Sequence, residues 1–225
     1  MNKLFVQAIG TFVAGAVLLG LLTFLPAGTL AYWQAWVFIA IFMVNISMFG
    51  VYFSIKDPAL MQRRKQVRPG AQQSRLQNIV IVLATSLLVA MIVVCGLDRR
   101  FGWSGMPAVV TWIGDGIEVF SFTIFTLVFQ ANSFGGSSIR VEKSQKVSDT
   151  GLYGIIRHPM YAGTIVMVIG IALGLGSWWA LLILAVQLPV LAIRILDEEK
   201  LLEKDLAGYK EYKLKVRYRL IPHVW

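Results

Sequence analysis

Two uncharged apolar runs near the start of the chain, residues 4–25 and 32–55, constrain the fold more than any other feature. Crossing a hydrocarbon layer of about 30 Å takes about 20 helical residues, so each run is long enough. Inside a bilayer every backbone polar group must find its partner within the protein, and a helix provides this alone. The runs therefore predict membrane-spanning helices, with a turn at Pro26, Ala27, Gly28 and Thr29 between them. Similar runs follow at 79–97 and 109–129, the latter carrying Asp115 and Glu118. Beyond a polar stretch at 131–161, segments 162–176 and 178–195 are separated by little more than Ser177 and read as a helical hairpin. Its first arm is only about 22 Å long, short for a full crossing. Only 15% of the residues are charged, against about 25% in a soluble domain, which excludes the soluble class. The expected fold is all-α: an integral-membrane, multi-span helical bundle with a C-terminal hairpin and a cytosolic tail. Residues 1–130 form a scaffold of about four spans, and 131–225 form the loop, hairpin and tail.

The net charge of +9 has an uneven distribution. Of the 21 Lys and Arg residues, all but Arg99 and Arg100 fall at the N-terminus, in the 56–75 loop, in the 131–161 stretch or from Arg194 onward. The positive-inside rule puts those four regions in the cytoplasm, as for a bacterial or archaeal inner-membrane protein. Basic residues beside apolar spans suit anionic lipid, so the bilayer is the expected partner and nucleic acid is not. The single cysteine, Cys95, and two histidines exclude a disulfide framework, a CxxC site and a histidine metal cluster. Gly114-Asp115-Gly116 lacks the third glycine and preceding strand of a dinucleotide loop. Asp115 and Glu118, carboxylates within a span, are candidates for a functional role; the alternative, which we favour, is a polar seam near the outer interface, paired with Arg99 or Arg100.

Two clusters carry chemistry. In Gly151-Leu152-Tyr153-Gly154-Ile155-Ile156-Arg157-His158-Pro159-Met160-Tyr161, a guanidinium, an imidazole and two phenols meet where the polar stretch enters the hairpin. Pro159 suits the first helical position, and helix starts attract anions. The alternative is an interfacial anchor, with Arg157 on lipid phosphate and Tyr153 and Tyr161 at headgroup level. In Arg194-Ile195-Leu196-Asp197-Glu198-Glu199, Arg194 and Glu198 would share a helix face, free to pair or to clamp a zwitterion together. The alternative there is a helix end leaving the membrane in solvated charge.

Together the clusters form G-x-Y-x-x-x-R-H-P-x-Y-x-G, a hydrophobic hairpin, R-x-x-x-E-E-x-x-L, and a G-Y-x-x-Y-x-x-x-V-x-x-R-L-I-P tail. This pattern, over residues 130–225, resembles the isoprenylcysteine carboxyl methyltransferase family, part of a broader group that includes membrane phospholipid methyltransferases. The resemblance implies an integral-membrane methyltransferase that uses S-adenosyl-L-methionine without a Rossmann fold. The cofactor would touch Gln145, Lys146, Val147, Ser148, Tyr153, His158, Pro159, Met160, Tyr161 and Glu198, and Arg194 would face a lipophilic acceptor. Gln145 stands where the eukaryotic pattern has histidine.

The chemistry agrees with this inventory. Methyl transfer from a sulfonium needs alignment and exclusion of water, and no metal. Glu198 and Glu199 can meet an ammonium or a ribose diol, and Arg157 or the helix start can meet a carboxylate. A carboxylate acceptor needs no base, only a cation such as Arg194. An amine or thiol acceptor would use a base, for which His158 is placed. Arg194 and His158 are thus the candidate catalytic residues. The competing classes are a phospholipid, amine or thiol methyltransferase of the same fold, a membrane reductase using NADPH, and a non-catalytic lipid-binding membrane protein.

Overall fold

The computed structural model describes residues 3–65, 75–135 and 145–225. Arg68, Arg140 and Lys143, part of the charge count above, lie outside them. The described residues form eight α-helices and a 3₁₀ turn at Gly151–Gly154, with no strand. The helices are α1 (Lys3–Ala27), α2 (Trp33–Lys56), α3 (Pro58–Lys65), α4 (Arg75–Phe101), α5 (Ala108–Ala131), α6 (Pro159–Gly174), α7 (Trp179–Asp205) and α8 (Tyr209–Lys215). Five of them, α1, α2, α4, α5 and α7, are long and apolar enough to cross a membrane, whereas α6 is shorter.

Most helix limits follow from local chemistry. Gly28, with φ of 66°, ends α1 in the left-handed conformation that side-chain-free residues tolerate. Pro159 opens α6, where its missing N–H costs nothing. Two features differ from the sequence reading. Between α2 and α4 the polar stretch starts with the short helix α3, capped when Asp57 Oδ1 accepts from the Leu60 N–H at 3.0 Å, with Pro58 in first position. Helix α7 does not stop near Arg194 but runs on to Asp205, because Asp-Glu-Glu-Lys-Leu-Leu-Glu-Lys is rich in strong helix formers.

The chain divides into two compact units, and the divisions fall within helices. The first comprises Met1–Met48, Leu87–Phe120 and Val166–Ala185. Its core holds Tyr32, Ala35, Phe38, Met91, Cys95, Ile171, Leu175 and Ala180. Here α5 and α6 touch backbone to backbone: a Cβ on Gly114 would lie 2.3 Å from the Gly174 nitrogen, and one on Gly170 would lie 2.7 Å from the Glu118 nitrogen. Small residues allow such an approach. Seven large apolar side chains of α1, from Ile9 to Leu25, stay exposed, as a lipid-facing helix requires.

The second unit comprises Phe49–Ser86, Ser121–Ile165 and Val186–Trp225. It has three small cores: Phe53, Leu60 and Phe129; Tyr161, Leu191, Ile195 and Leu220; and Leu206, Tyr209, Tyr212 and Val216. The C-terminal tail is bound into it by backbone pairs, Arg157 N–H to Tyr218 O and His158 N–H to Arg219 O, each at 2.9 Å. The motif ahead of α6 is thus joined to the tail motif some sixty residues on.

Candidate active site

Helix α7 presents charge on two adjacent faces. Glu198, Leu202 and Leu206 recur at four-residue spacing and line one wall of a cleft in the second unit. The other walls are Asn132, Phe134 and Gly135 after α5, the segment Gln145 to Ser148, Tyr153, Arg157 and His158, Met160 and Tyr161 on α6, and Tyr209 and Tyr212 on α8. The empty space, open mouth included, is about 760 Å³.

One residue on, Glu199 turns to a different task. Its Oε1 accepts from Arg157 Nε at 2.7 Å and faces His158 Nε2 at 3.2 Å, and its Oε2 accepts from Arg219 Nε at 3.0 Å. Arg157 also donates through Nη1 to the carbonyls of Val216 and Arg217, at 2.8 and 2.7 Å. Both side chains of the Arg157–Glu199 pair are only 4% exposed. A buried pair in such a geometry resists disruption, because removal of either partner strands the other charge. A carboxylate can only accept, so His158 Nε2 carries the proton towards Glu199, and Nδ1 is the nitrogen left for proton exchange.

Glu198 is held differently: its Oε2 accepts from the Tyr161 hydroxyl at 2.5 Å. The phenol oxygen in turn accepts from Arg194 Nε at 2.8 Å. Arg194 and Glu198 are therefore linked through a phenol from α6, not by the direct pairing that their spacing allows.

The aromatic walls are anchored from outside the cleft. Arg63 of α3 donates to the Ser133 carbonyl at 3.2 Å and to its Oγ at 3.1 Å, and lies 4.3 Å from the centre of the Phe134 ring. Ser148 Oγ donates to the Ala131 carbonyl at 2.7 Å, which fixes the 145–148 segment to the end of α5. The Tyr212 hydroxyl donates to the Tyr153 carbonyl at 2.8 Å. Burial pushes the Tyr153 phenol up to about 12 and raises those of Tyr209 and Tyr212, so all three remain protonated donors at neutral pH. The Tyr209 hydroxyl is buried with no hydrogen-bond partner among the described residues.

Of the residues the sequence nominated, Gln145, Lys146, Val147, Ser148, Tyr153, Arg157, His158, Met160, Tyr161 and Glu198 line the cleft, and Pro159, Glu199 and Arg194 do not. Arg157 reaches it with its Nε and Nη1 donors already engaged. The wall residues that sequence reasoning missed are Asn132, Phe134, Gly135, Leu202, Leu206, Tyr209 and Tyr212. Leu202 and Leu206 follow Glu198 at helical spacing, and both tyrosines stand in the tail motif, so those four had a signal. In the first unit the expected pairing of the acidic residues with Arg99 or Arg100 gives way to other contacts. Arg99 donates to the Ala31 carbonyl at 3.0 Å, and Arg100 lies 5.6 Å from the centre of the Phe101 ring.

Five apolar helices and a charged aromatic cleft define the class, a multi-pass membrane protein with an open polar cleft. The sequence model of the phospholipid methyltransferase family matches residues 109–207, from α5 to just beyond α7. That segment, just under half of the chain, is similar to the phospholipid methyltransferases, within the broader group of phospholipid and isoprenylcysteine methyltransferases. No curated protein matches the sequence.

Proposed function

We propose that the protein transfers a methyl group from S-adenosyl-L-methionine to a lipophilic acceptor, as an isoprenylcysteine carboxyl methyltransferase does. Residues 131–225 would hold the cofactor and 1–130 would act as the membrane scaffold. The carrying observation is that one aromatic cleft contains both a carboxylate, Glu198, and a buried phenol, Tyr209, with no hydrogen-bond partner among the described residues. The donor set fits the cofactor. Glu198 can take an ammonium or a ribose diol, the Tyr209 hydroxyl can donate to or accept from a polar group, and Phe134, Tyr153 and Tyr212 offer aromatic walls to a base. Arg157 is committed to Glu199, so a ligand carboxylate would be met by the positive end of α6.

Bound there, S-adenosylmethionine supplies a methyl carbon activated by a sulfonium leaving group. The chain's own contribution is alignment and dryness: Met160, Leu202 and Leu206 would exclude water, and Glu198 would fix the cationic end of the ligand. We assign Arg194, which stands behind Tyr161, to the acceptor side, where a guanidinium would orient a carboxylate that is already ionised. For an amine or thiol acceptor, His158 Nδ1 would take the proton while Nε2 stays on Glu199.

Calorimetric titration of the detergent-solubilised protein tests the reading. S-adenosylhomocysteine should bind saturably and NADPH should not. Glu198→Ala should weaken binding by about 1.5–3 kcal/mol, or 10- to 150-fold, as for loss of a hydrogen bond to a charged group. Unchanged affinity in that variant would remove Glu198 from the site, and binding of NADPH alone would favour the reductase class. The proposed orientation puts the tail in the cytoplasm. Cysteines introduced at the exposed positions Lys210 and Gly105 should be labelled from opposite faces of the membrane.

A further inference from the structure

Behind the cleft a line of hydrogen bonds leads from Glu198 to a helix outside the matched segment. Glu198 accepts from the Tyr161 hydroxyl, and Tyr161 accepts from Arg194 Nε. Arg194 Nη1 donates to Gln77 Oε1 at 3.2 Å, and Gln77 Nε2 donates to Asp197 Oδ2 at 2.5 Å. Gln77 lies on α4 and is 2% exposed, and Arg194 and Tyr161 are each 6% exposed. Three helices, α4, α6 and α7, are joined by one buried polar chain.

The direction of every bond in this chain is fixed by chemistry. The Asp197 carboxylate can only accept, so the Gln77 amide must turn its nitrogen there, and its oxygen then faces Arg194. A guanidinium can only donate, so the Tyr161 oxygen accepts from Arg194, and its single proton goes to Glu198. Reversing any link would set two donors or two acceptors against each other. Bonds aligned in this way polarise one another. A glutamate on a helix otherwise samples several rotamers. Here the Tyr161 hydroxyl selects one, Arg194 holds that hydroxyl, and Gln77 holds Arg194.

We propose that Gln77 is a positioning residue for Glu198, acting through Arg194 and Tyr161. It touches no ligand, and it makes α4 part of the site's machinery. The inference rests on the reading that Glu198 binds the cofactor.

The experiment is a double-mutant cycle on S-adenosylhomocysteine affinity, with the full-length protein in nanodiscs. Gln77→Leu, similar in size and without hydrogen-bonding groups, should weaken binding 3- to 10-fold, and Tyr161→Phe should do the same. In a Glu198→Ala background, neither substitution should add a further loss, since nothing remains to be positioned. A loss of the same size in both backgrounds would mean that Gln77 only supports the fold, and would overturn the proposal. So would full affinity in Gln77→Leu. If Gln77→Leu does not fold, Tyr161→Phe, which removes one hydroxyl, decides by the same cycle. If Glu198→Ala alone leaves affinity unchanged, the cofactor reading of Glu198 has failed and the positioning proposal falls with it. That outcome is distinct from a Glu198 effect that Gln77 and Tyr161 do not share.

Discussion

The two compact units bury carboxylates in opposite ways. In the first unit, Asp98 is met by neutral donors: the Ser104 N–H at 2.7 Å, the Ser104 hydroxyl at 2.6 Å and the Ser177 hydroxyl at 2.5 Å. Asp115, 3% exposed, has no hydrogen-bond partner for either oxygen among the described residues. In the second unit, Glu199 is met by Arg157, His158 and Arg219. Neutral donors can close a turn and join helix ends, as Ser104 and Ser177 do around Asp98. A network of full charges does that and also builds a local field, which a site for an ionic ligand needs. On the proposed function, the difference separates a unit whose polar groups complete the fold from one whose polar groups also set up chemistry.

The comparison breaks most readily at Glu199. Replacing it by alanine leaves the buried Arg157 guanidinium without its carboxylate and releases His158 and Arg219. The expected cost is about 3–5 kcal/mol, the range for breaking a buried pair. A sharp drop in the thermal unfolding midpoint, with binding of S-adenosylhomocysteine lost, would bear this out, whereas an unchanged midpoint would make the network a surface-like decoration. Asp98→Ala in the first unit should cost about 1–3 kcal/mol, because Ser177 and Ser104 lose a shared acceptor. Ligand affinity of the folded fraction should stay within about threefold; a larger change would deny the division between the units.

Smaller effects sharpen the contrast. Tyr209→Phe removes a hydroxyl with no hydrogen-bond partner among the described residues, so stability should hold while affinity for S-adenosylhomocysteine falls by about 0.5–1.5 kcal/mol, the size of one hydrogen bond. If affinity holds and stability falls, the hydroxyl serves the fold instead. Least affected should be Asp115→Asn, which keeps the shape and changes a group with no hydrogen-bond partner among the described residues. Its midpoint and ligand affinity should match those of the unaltered protein. A large loss of affinity would give the first unit a share in the site.

The limits of what was legible in the sequence can be seen on α7. Sequence reasoning put Arg194 and Glu198 on one face, since that depends only on a four-residue spacing. The resemblance gives Glu198 to the cofactor, and Glu199 stands beside it as a second partner for the same ligand. They differ by one step, about 100° around the helix, and only the packing of α6 and the tail assigns one to the cleft and the other to Arg157. The same holds for Arg157, whose partners stand 42, 59 and 60 residues away in sequence, and for Gln77, joined to Arg194 across 117 residues. Phe134 and Asn132 carried no signal at all, because a wall residue next to a helix end looks like any loop residue.

What the sequence determined by itself was whatever local spacing and hydrophobic length dictate: the long apolar helices, the start of α6 at Pro159, and the order of the two motifs. Apolar length and helical period act within a few turns of the chain, so they can be read along it. Tertiary structure alone decided that Glu199 is bound by Arg157 and Arg219, which guanidinium is built into the fold, and which phenol has no hydrogen-bond partner among the described residues. Those outcomes depend on how a handful of buried donors and acceptors are matched, and a buried polar group takes its partner from whatever the fold brings near, regardless of distance in sequence.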